Sequence, residues 1–241
     1  AASTYSSVIT DSTGTGAGSL GLVKSGTSGL LLDQNNTFTG GIALNDGFLY
    51  AANNGAFGTG AVAINAGAER LAIKDGFTIG NNIVINGGGT VGNGLIQNYN
   101  AADGENATVG GDITINANTG AGGHFGSTGI GSTLTLTGSI TSSVKVQQRT
   151  GTVVLSGGGS YTDFGITGTT RLGADNGLAT NATADLGFSG NGVFDLAGFN
   201  QSLVGITKNT GGSATVGNSS TTVDSTLTVT GTSTYGGLIP D

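Results

Sequence analysis

Apolar residues recur at every second position in short runs, and four of these runs close on asparagine: Ile42-Ala43-Leu44-Asn45, Val62-Ala63-Ile64-Asn65, Ile83-Val84-Ile85-Asn86 and Ile113-Thr114-Ile115-Asn116. Alternation of this kind gives a strand one buried face. Similar runs without the asparagine follow at Leu134-Thr135-Leu136, Val144-Lys145-Val146, Val153-Val154-Leu155 and Leu227-Thr228-Val229. The first three Asn-terminated strands stand about 20 residues apart, and a period of that length predicts a solenoid in which each turn adds one level. Three short strands and three corners fill such a turn. Glycine and asparagine suit the corners because both tolerate left-handed backbone. The chain then makes roughly 12 rungs of about 20 residues, and a spacing near 4.8 Å gives a rod about 55 to 60 Å long.

Composition removes the alternatives to an all-β fold. The 241 residues include 49 Gly and one Pro, and only 9% are charged. Gly costs a helix interior about 1 kcal/mol relative to Ala, and Thr, Ser, Asn and Val are also poor helix formers. Disorder is disfavoured as well, because 36% of the residues are apolar. No linker composition divides the chain, so residues 1–241 read as one β-solenoid domain. The net charge is −7, and the seven basic residues, Lys24, Arg70, Lys74, Lys145, Arg149, Arg171 and Lys208, are scattered singly. That distribution makes nucleic acid and anionic membranes poor partners. No run approaches the ~18 to 20 apolar residues of a spanning helix, so no membrane insertion by this segment is expected. The chain has no Cys and no Met. It reads as a processed or excised segment compatible with export, and Ala1-Ala2-Ser3 fits a signal-peptidase product and an arbitrary boundary equally.

A longer repeat lies over the short one. Leu32, Thr37-Phe38-Thr39, Leu49, Ala51 and Asn53 return 123 positions later as Leu155, Ser160-Tyr161-Thr162, Leu172, Ala174 and Asn176. Two related segments, about 24–67 and 148–191, are therefore expected. The run Gly29-Leu30-Leu31-Leu32 to Asn36-Thr37-Phe38-Thr39-Gly40-Gly41, and its partner Gly151-Thr152-Val153-Val154-Leu155-Ser156-Gly157 to Ser160-Tyr161-Thr162, resemble the autotransporter-associated β-strand repeat, G-T-L-x-L-x-G-x-N-T-Y-T-G-G. Thr4-Tyr5-Ser6-Ser7-Val8-Ile9 and Asp195-Leu196-Ala197-Gly198-Phe199-Asn200-Gln201 are also similar to that family. The resemblance covers most of residues 1–75 and 148–241. It departs where Asp163-Phe164 stands for Gly-Gly and Gly159 for Asn, and those corners are expected to bend differently. It implies a right-handed parallel β-helix in the exported passenger portion of a bacterial surface protein, at the outer cell surface, with no reaction of its own.

Candidate chemistry is sparse. The one histidine, His124, would need Ser127 and Asp112 for a hydrolase triad. No G-x-S-x-G elbow accompanies it, and a solvated loop histidine is expected. Among the carboxylates only Asp103-Gly104-Glu105 is tightly clustered, in an expected solvated turn. No calcium-roll nonapeptide or EF-hand loop appears, so neither metal nor cofactor is expected and the chain reads as a non-enzyme. Asn45, Asn65, Asn86 and Asn116 are expected to stack as a ladder of side-chain amides inside the coil. The Thr-rich strands 133–137 and 226–230 raise ice binding, but two arrays far apart in sequence are better explained by the β-propensity of exposed Thr.

Three functions remain: a structural rod, stalk or fibre; an adhesin or glycan-binding face, which requires Tyr50, Tyr99 and Tyr161 to be exposed together; and a polysaccharide-degrading enzyme, which requires a carboxylate groove. The first reading has a natural partner, a second copy of the chain. Ser3-Thr4-Tyr5 returns as Ser233-Thr234-Tyr235, with Val8-Ile9 and Asp11 matched by Leu238-Ile239 and Asp241. Neither end carries a recognisable cap in the sequence, so end-to-end stacking as a homo-oligomer or tandem array is expected. Surface glycans are the second candidate partner.

Overall fold

A computed structural model describes residues 2–13, 18–88, 94–99, 103–116, 123–187, 190–208 and 212–240, with the backbone alone at residues 66, 67 and 69. The chain winds as a parallel β-helix, and every named strand pairing is parallel. A first face stacks Leu22–Lys24, residues 42–44, residues 62–64, Ile83–Ile85, Ile113–Ile115, Ile140–Ser142 and Gly159–Ser160. A second face runs from Ser3–Tyr5 through Gly29–Leu32 to Gly205–Lys208. The third runs from Thr78–Ile79 through Thr133–Leu136 to Ala214–Gly217. Ile42–Ala51 and Val62–Ile73 each bend across the first two faces, and this joins them into one 15-stranded sheet beside a separate 7-stranded one.

The alternation in the sequence becomes columns. On the first face Ile42, Val62, Ile83, Ile113 and Ile140 lie in register, all 3% exposed or less, beside Leu44, Ile64, Ile85 and Ile115. Each such residue contributes about 1.5 to 3 kcal/mol by burial. The second face can be followed through eleven levels: Ser3, Leu30, Leu49, Leu71, Ile96, Phe125, Gln148, Ile166, Leu186, Lys208, and then Thr234, which bridges Thr207. Turn length is less even than the sequence period suggests. Gln148 to Ile166 is 18 residues and Ile96 to Phe125 is 29.

Corners are held in two ways. Where the chain enters the first face, Gly111, Gly138 and Gly157 stack so closely that a Cβ on each would overlap the carbonyl one turn below. Elsewhere buried amides replace the ladder. Asn36 accepts from Ile9 N (2.8 Å) and donates to Ala56 O (2.6 Å), so one side chain ties together three turns. Gln148 donates to the carbonyls of Thr150 and Gly151 and accepts from the N–H groups of Thr167 and Gly168. Each bond satisfies a buried backbone group that a bend would otherwise orphan.

Candidate functional site

Carboxylates, the raw material of a glycosidase, are used here as corner caps. Asp112 Oδ1 accepts from Ser139 N (2.9 Å), while Asp112 N donates to Asn82 Oδ1 (3.0 Å). Asp175, Asn200 and Thr226 form a second such series, with contacts of 2.7 and 2.8 Å. Asp11 caps both Leu20 N and Thr39 N, and these backbone bonds hold its carboxyl below the usual range. At Asp195 burial pushes the pKa up, but bonds from Ser219, Arg171 and Ala197 outweigh it and leave it lowered. Asp195 accepts from Arg171 Nε at 2.7 Å in a groove that Asp224 and Asn218 also line. An anion satisfied by this many donors suits ionic structure rather than proton transfer.

The triad residues do not come together. His124 is fully buried, not solvated as the sequence suggested, because its turn is packed against the next: its backbone N–H donates to Gln147 O and its ring Nδ1 accepts from Gln147 N (3.1 Å). Asp112 is committed to Ser139, and the buried Ser127 hydroxyl has no hydrogen-bond partner among the described residues. In the Asp103-Gly104-Glu105 turn, Asp103 caps Ile130 N (2.7 Å) and Glu105 N donates to Ser132 Oγ (3.0 Å). Among the described residues no group of three metal-ligating side chains is found.

The asparagines do hydrogen-bond from turn to turn, but outside the coil. Asn65 Nδ2 donates to Asn45 Oδ1 (2.7 Å), Asn86 to Asn65 (3.2 Å) and Asn116 to Asn86 (2.9 Å). The inward residues are the isoleucine or leucine just before, so alternation sends each asparagine outward. Asn45, Asn86 and Asn116 are exposed and Asn65 is half-buried.

Two surface groupings remain. Tyr50 and Tyr99 meet edge to face with centroids 4.7 Å apart, with Phe48 beside Tyr50, Arg70 over Phe48 and Lys74 over Tyr99. Tyr161 does not join them: it is 1% exposed, and its hydroxyl accepts from Ala179 N. The second grouping is a threonine field on the third face. Thr133, Thr152 and Thr169 stack in register, with Thr78, Thr108 and Thr135 beside them. The other Thr-rich stretch, 226–230, lies apart, where Leu227–Val229 pairs with Gln201–Leu203.

Sequence reasoning missed two lysines in inward columns. Lys24 stands in the column of Leu44, Ile64, Ile85 and Ile115, and Lys208 in that of Ile166 and Leu186. Lys24 is 8% exposed, its ammonium held by the carbonyls of Ser25, Gly26 and Asp46. An inward-pointing charge is one of the devices that blunt an edge strand, and Lys24 stands on the first described strand of the first face. The signal was available, since Leu22-Val23-Lys24 has the apolar alternation of its neighbours with Lys in the second inward place.

No family model matches the chain, and no curated protein or solved structure matches it either.

Proposed function

We propose that the protein is a non-enzymatic structural module of a secreted or cell-surface bacterial protein, serving as a rod, stalk or fibre segment. What carries this reading is the commitment of its polar chemistry to turn-to-turn bonds: His124, Asp103, Asp112, Asp175 and Asp195 each hold a corner or a neighbouring strand. The export assignment rests on the absence of Cys and on the resemblance of residues 29–41 and 151–162 to autotransporter-associated repeats. Small-angle scattering of the dilute protein should give a particle about 50 Å long, one level per ~4.8 Å, and a panel of glycosidase and esterase substrates should stay at background. A globular profile, or turnover lost in Asp103→Asn with the fold intact, would overturn it.

The adhesin alternative keeps Tyr50 and Tyr99 as its platform but loses Tyr161. A second reading is favoured by a more specific observation, the threonine field of the third face. Its hydroxyl and methyl groups repeat at about 4.8 Å between turns in two columns that share one strand, Thr133–Leu136, where Thr133 and Thr135 stand about 6.7 Å apart, a short array of the sort that orders water and binds ice. Thermal hysteresis that disappears in Thr135→Lys would establish it, and none at millimolar protein would exclude it.

A further inference from the structure

On the outer side of the third face the threonine field runs into a groove of about 610 Å³, whose polar groups fall into two sets. Alternation builds the floor. Thr170 and Phe194 point inward and are fully buried, so Thr169, Arg171, Val193 and Asp195 face out on two successive turns, Thr169 in register with Val193 and Arg171 with Asp195. The stretch after Gly217 forms a wall and is tied down by its own side chains. Asn218 Oδ1 accepts from Gly198 N (2.8 Å) and Ser220 N (3.1 Å), Asn218 Nδ2 donates to Val223 O (2.8 Å), and Ser220 Oγ accepts from Val223 N (3.0 Å). Asp195, 5% exposed, is saturated by Arg171 Nε (2.7 Å), Ser219 Oγ (2.7 Å), Ser219 N (2.9 Å) and Ala197 N (3.0 Å). This first set is spent on structure.

The second set is unspent. Arg171 is held through Nε and its side chain is 44% exposed, so Nη1 and Nη2 carry no hydrogen bond among the described residues. The Asp224 carboxylate and the Thr169 hydroxyl, which line the same groove, carry none there either. Arg171 and Asp224 form no ion pair with each other, so the groove holds a donor and an acceptor apart. We propose that it binds a neutral saccharide, with neighbouring hydroxyls of one sugar ring accepting from Arg171 Nη and donating to Asp224, and the C–H face of the ring on Val193. A hydroxyl donates and accepts, so one ring satisfies both groups. An acidic sugar would meet Asp224 on a chain of net charge −7, and a lone cation would meet Arg171. Thr169 continues in register into Thr152 and Thr133, a row of side chains along which an extended polymer can lie, and this favours a saccharide over a small zwitterion. Binding entails no cleavage, because glycoside hydrolysis uses two available carboxylates and the oxygens of Asp195 are taken by four donors. The inference goes beyond the rod reading, to which it adds a point of attachment on the side of the coil.

Affinity electrophoresis of the whole chain through gels containing soluble glucan, mannan or galactan tests the groove. At least one of these neutral polymers should retard the protein. Arg171→Lys, which keeps a cation beside Asp195 but loses the Nη pair, and Asp224→Ala, at an exposed position, should each weaken the retardation about tenfold, since each removes charge-assisted hydrogen bonds. Thermal melts matching the parent show that the fold is kept. Tyr99→Ala should change nothing. Loss of retardation in Tyr99→Ala, with both groove variants unaffected, would move the binding to the Tyr50 and Tyr99 platform and overturn the groove, as would retardation unchanged in all three variants. Stronger retardation by polygalacturonate, or release by free glycine, would overturn the neutral saccharide as ligand. Free passage through all three neutral gels sinks the inference and leaves the rod reading, which needs no ligand, standing.

Discussion

The segments 24–67 and 148–191 have related sequences and do not occupy related places. Gly29–Leu32 lies in the 15-stranded sheet and Thr152–Leu155 in the 7-stranded one. The reason is a mismatch of periods. The second-face ladder runs from Leu30 to Gln148 in five turns, an offset of 118, so a repeat at 123 overshoots and lands on the next face. A solenoid tolerates this because all its faces present the same inward alternation. Corners tolerate less. Asn36 ties three turns together in the first segment, whereas Gly159 stands at the matching position of the second, with φ 137°. There the backbone passes so close to Ile140 that a Cβ would overlap its carbonyl, and the bridging passes to Gln148 and to the Tyr161 hydroxyl. Asp163-Phe164 likewise begins the strand Asp163–Ile166, with Phe164 buried, where Gly40-Gly41 precedes Ile42–Ala51. One corner is secured by a side chain and the other by close backbone approach.

That difference predicts opposite tolerances. Gly159→Ala should be the most damaging single change, on the order of 4 kcal/mol, because it combines a glycine-only backbone conformation with a clash against main chain. A chemical-denaturation midpoint within error of the parent would refute the close approach. Asn36→Ala should cost about 3 kcal/mol, since it strands the N–H of Ile9 and the carbonyl of Ala56. Asn36→Gly, which makes the first corner like the second in sequence, should not recover that loss, because the first corner lacks the close approach. Tyr161→Phe sharpens the comparison from the other side. It converts the residue to the one found at Phe38 and leaves Ala179 N without its acceptor, at a cost of about 1 to 2 kcal/mol. Thermal melts of these four variants in one buffer give the ranking directly.

Much of the fold was legible in the sequence, and the limits have physical causes. Period-two alternation identified the strands at Ile42, Val62, Ile83 and Ile113, because an inward column tolerates little but aliphatic side chains there. It also revealed the spacing of the early turns, where Ile42 meets Val62 and Val62 meets Ile83. The longer turns after Ile85 escaped it, since added residues outside the strands leave the alternation untouched. Inward polar residues escaped for another reason. Asn98 and Gln148 are fully buried, yet only the fold supplies the corner carbonyls and N–H groups they satisfy. His124 was misplaced for the same cause: a Gly-rich neighbourhood reads as solvated loop until the adjacent turn is seen to bury it.

The asparagine ladder tests how far a repeated motif can be weighed without knowing which way it faces. Placed inside the coil, each amide would be a buried donor and acceptor, and removing one would cost about 1 to 3 kcal/mol. Placed outside, the same amides exchange partners with water, and a surface hydrogen bond contributes about 0.5 to 1 kcal/mol at most. The bonds of 2.7, 3.2 and 2.9 Å join side chains that are exposed or half-buried, so the second figure applies. Asn65→Ala, which breaks both the bond to Asn45 and the bond from Asn86, should therefore lower stability by under about 1 kcal/mol. That is the smallest effect among these substitutions, and well below that of Asn36→Ala, although both remove an amide that spans three turns. Equal losses in the two variants would show that the row is as shielded as the corner, and would return the ladder to the interior.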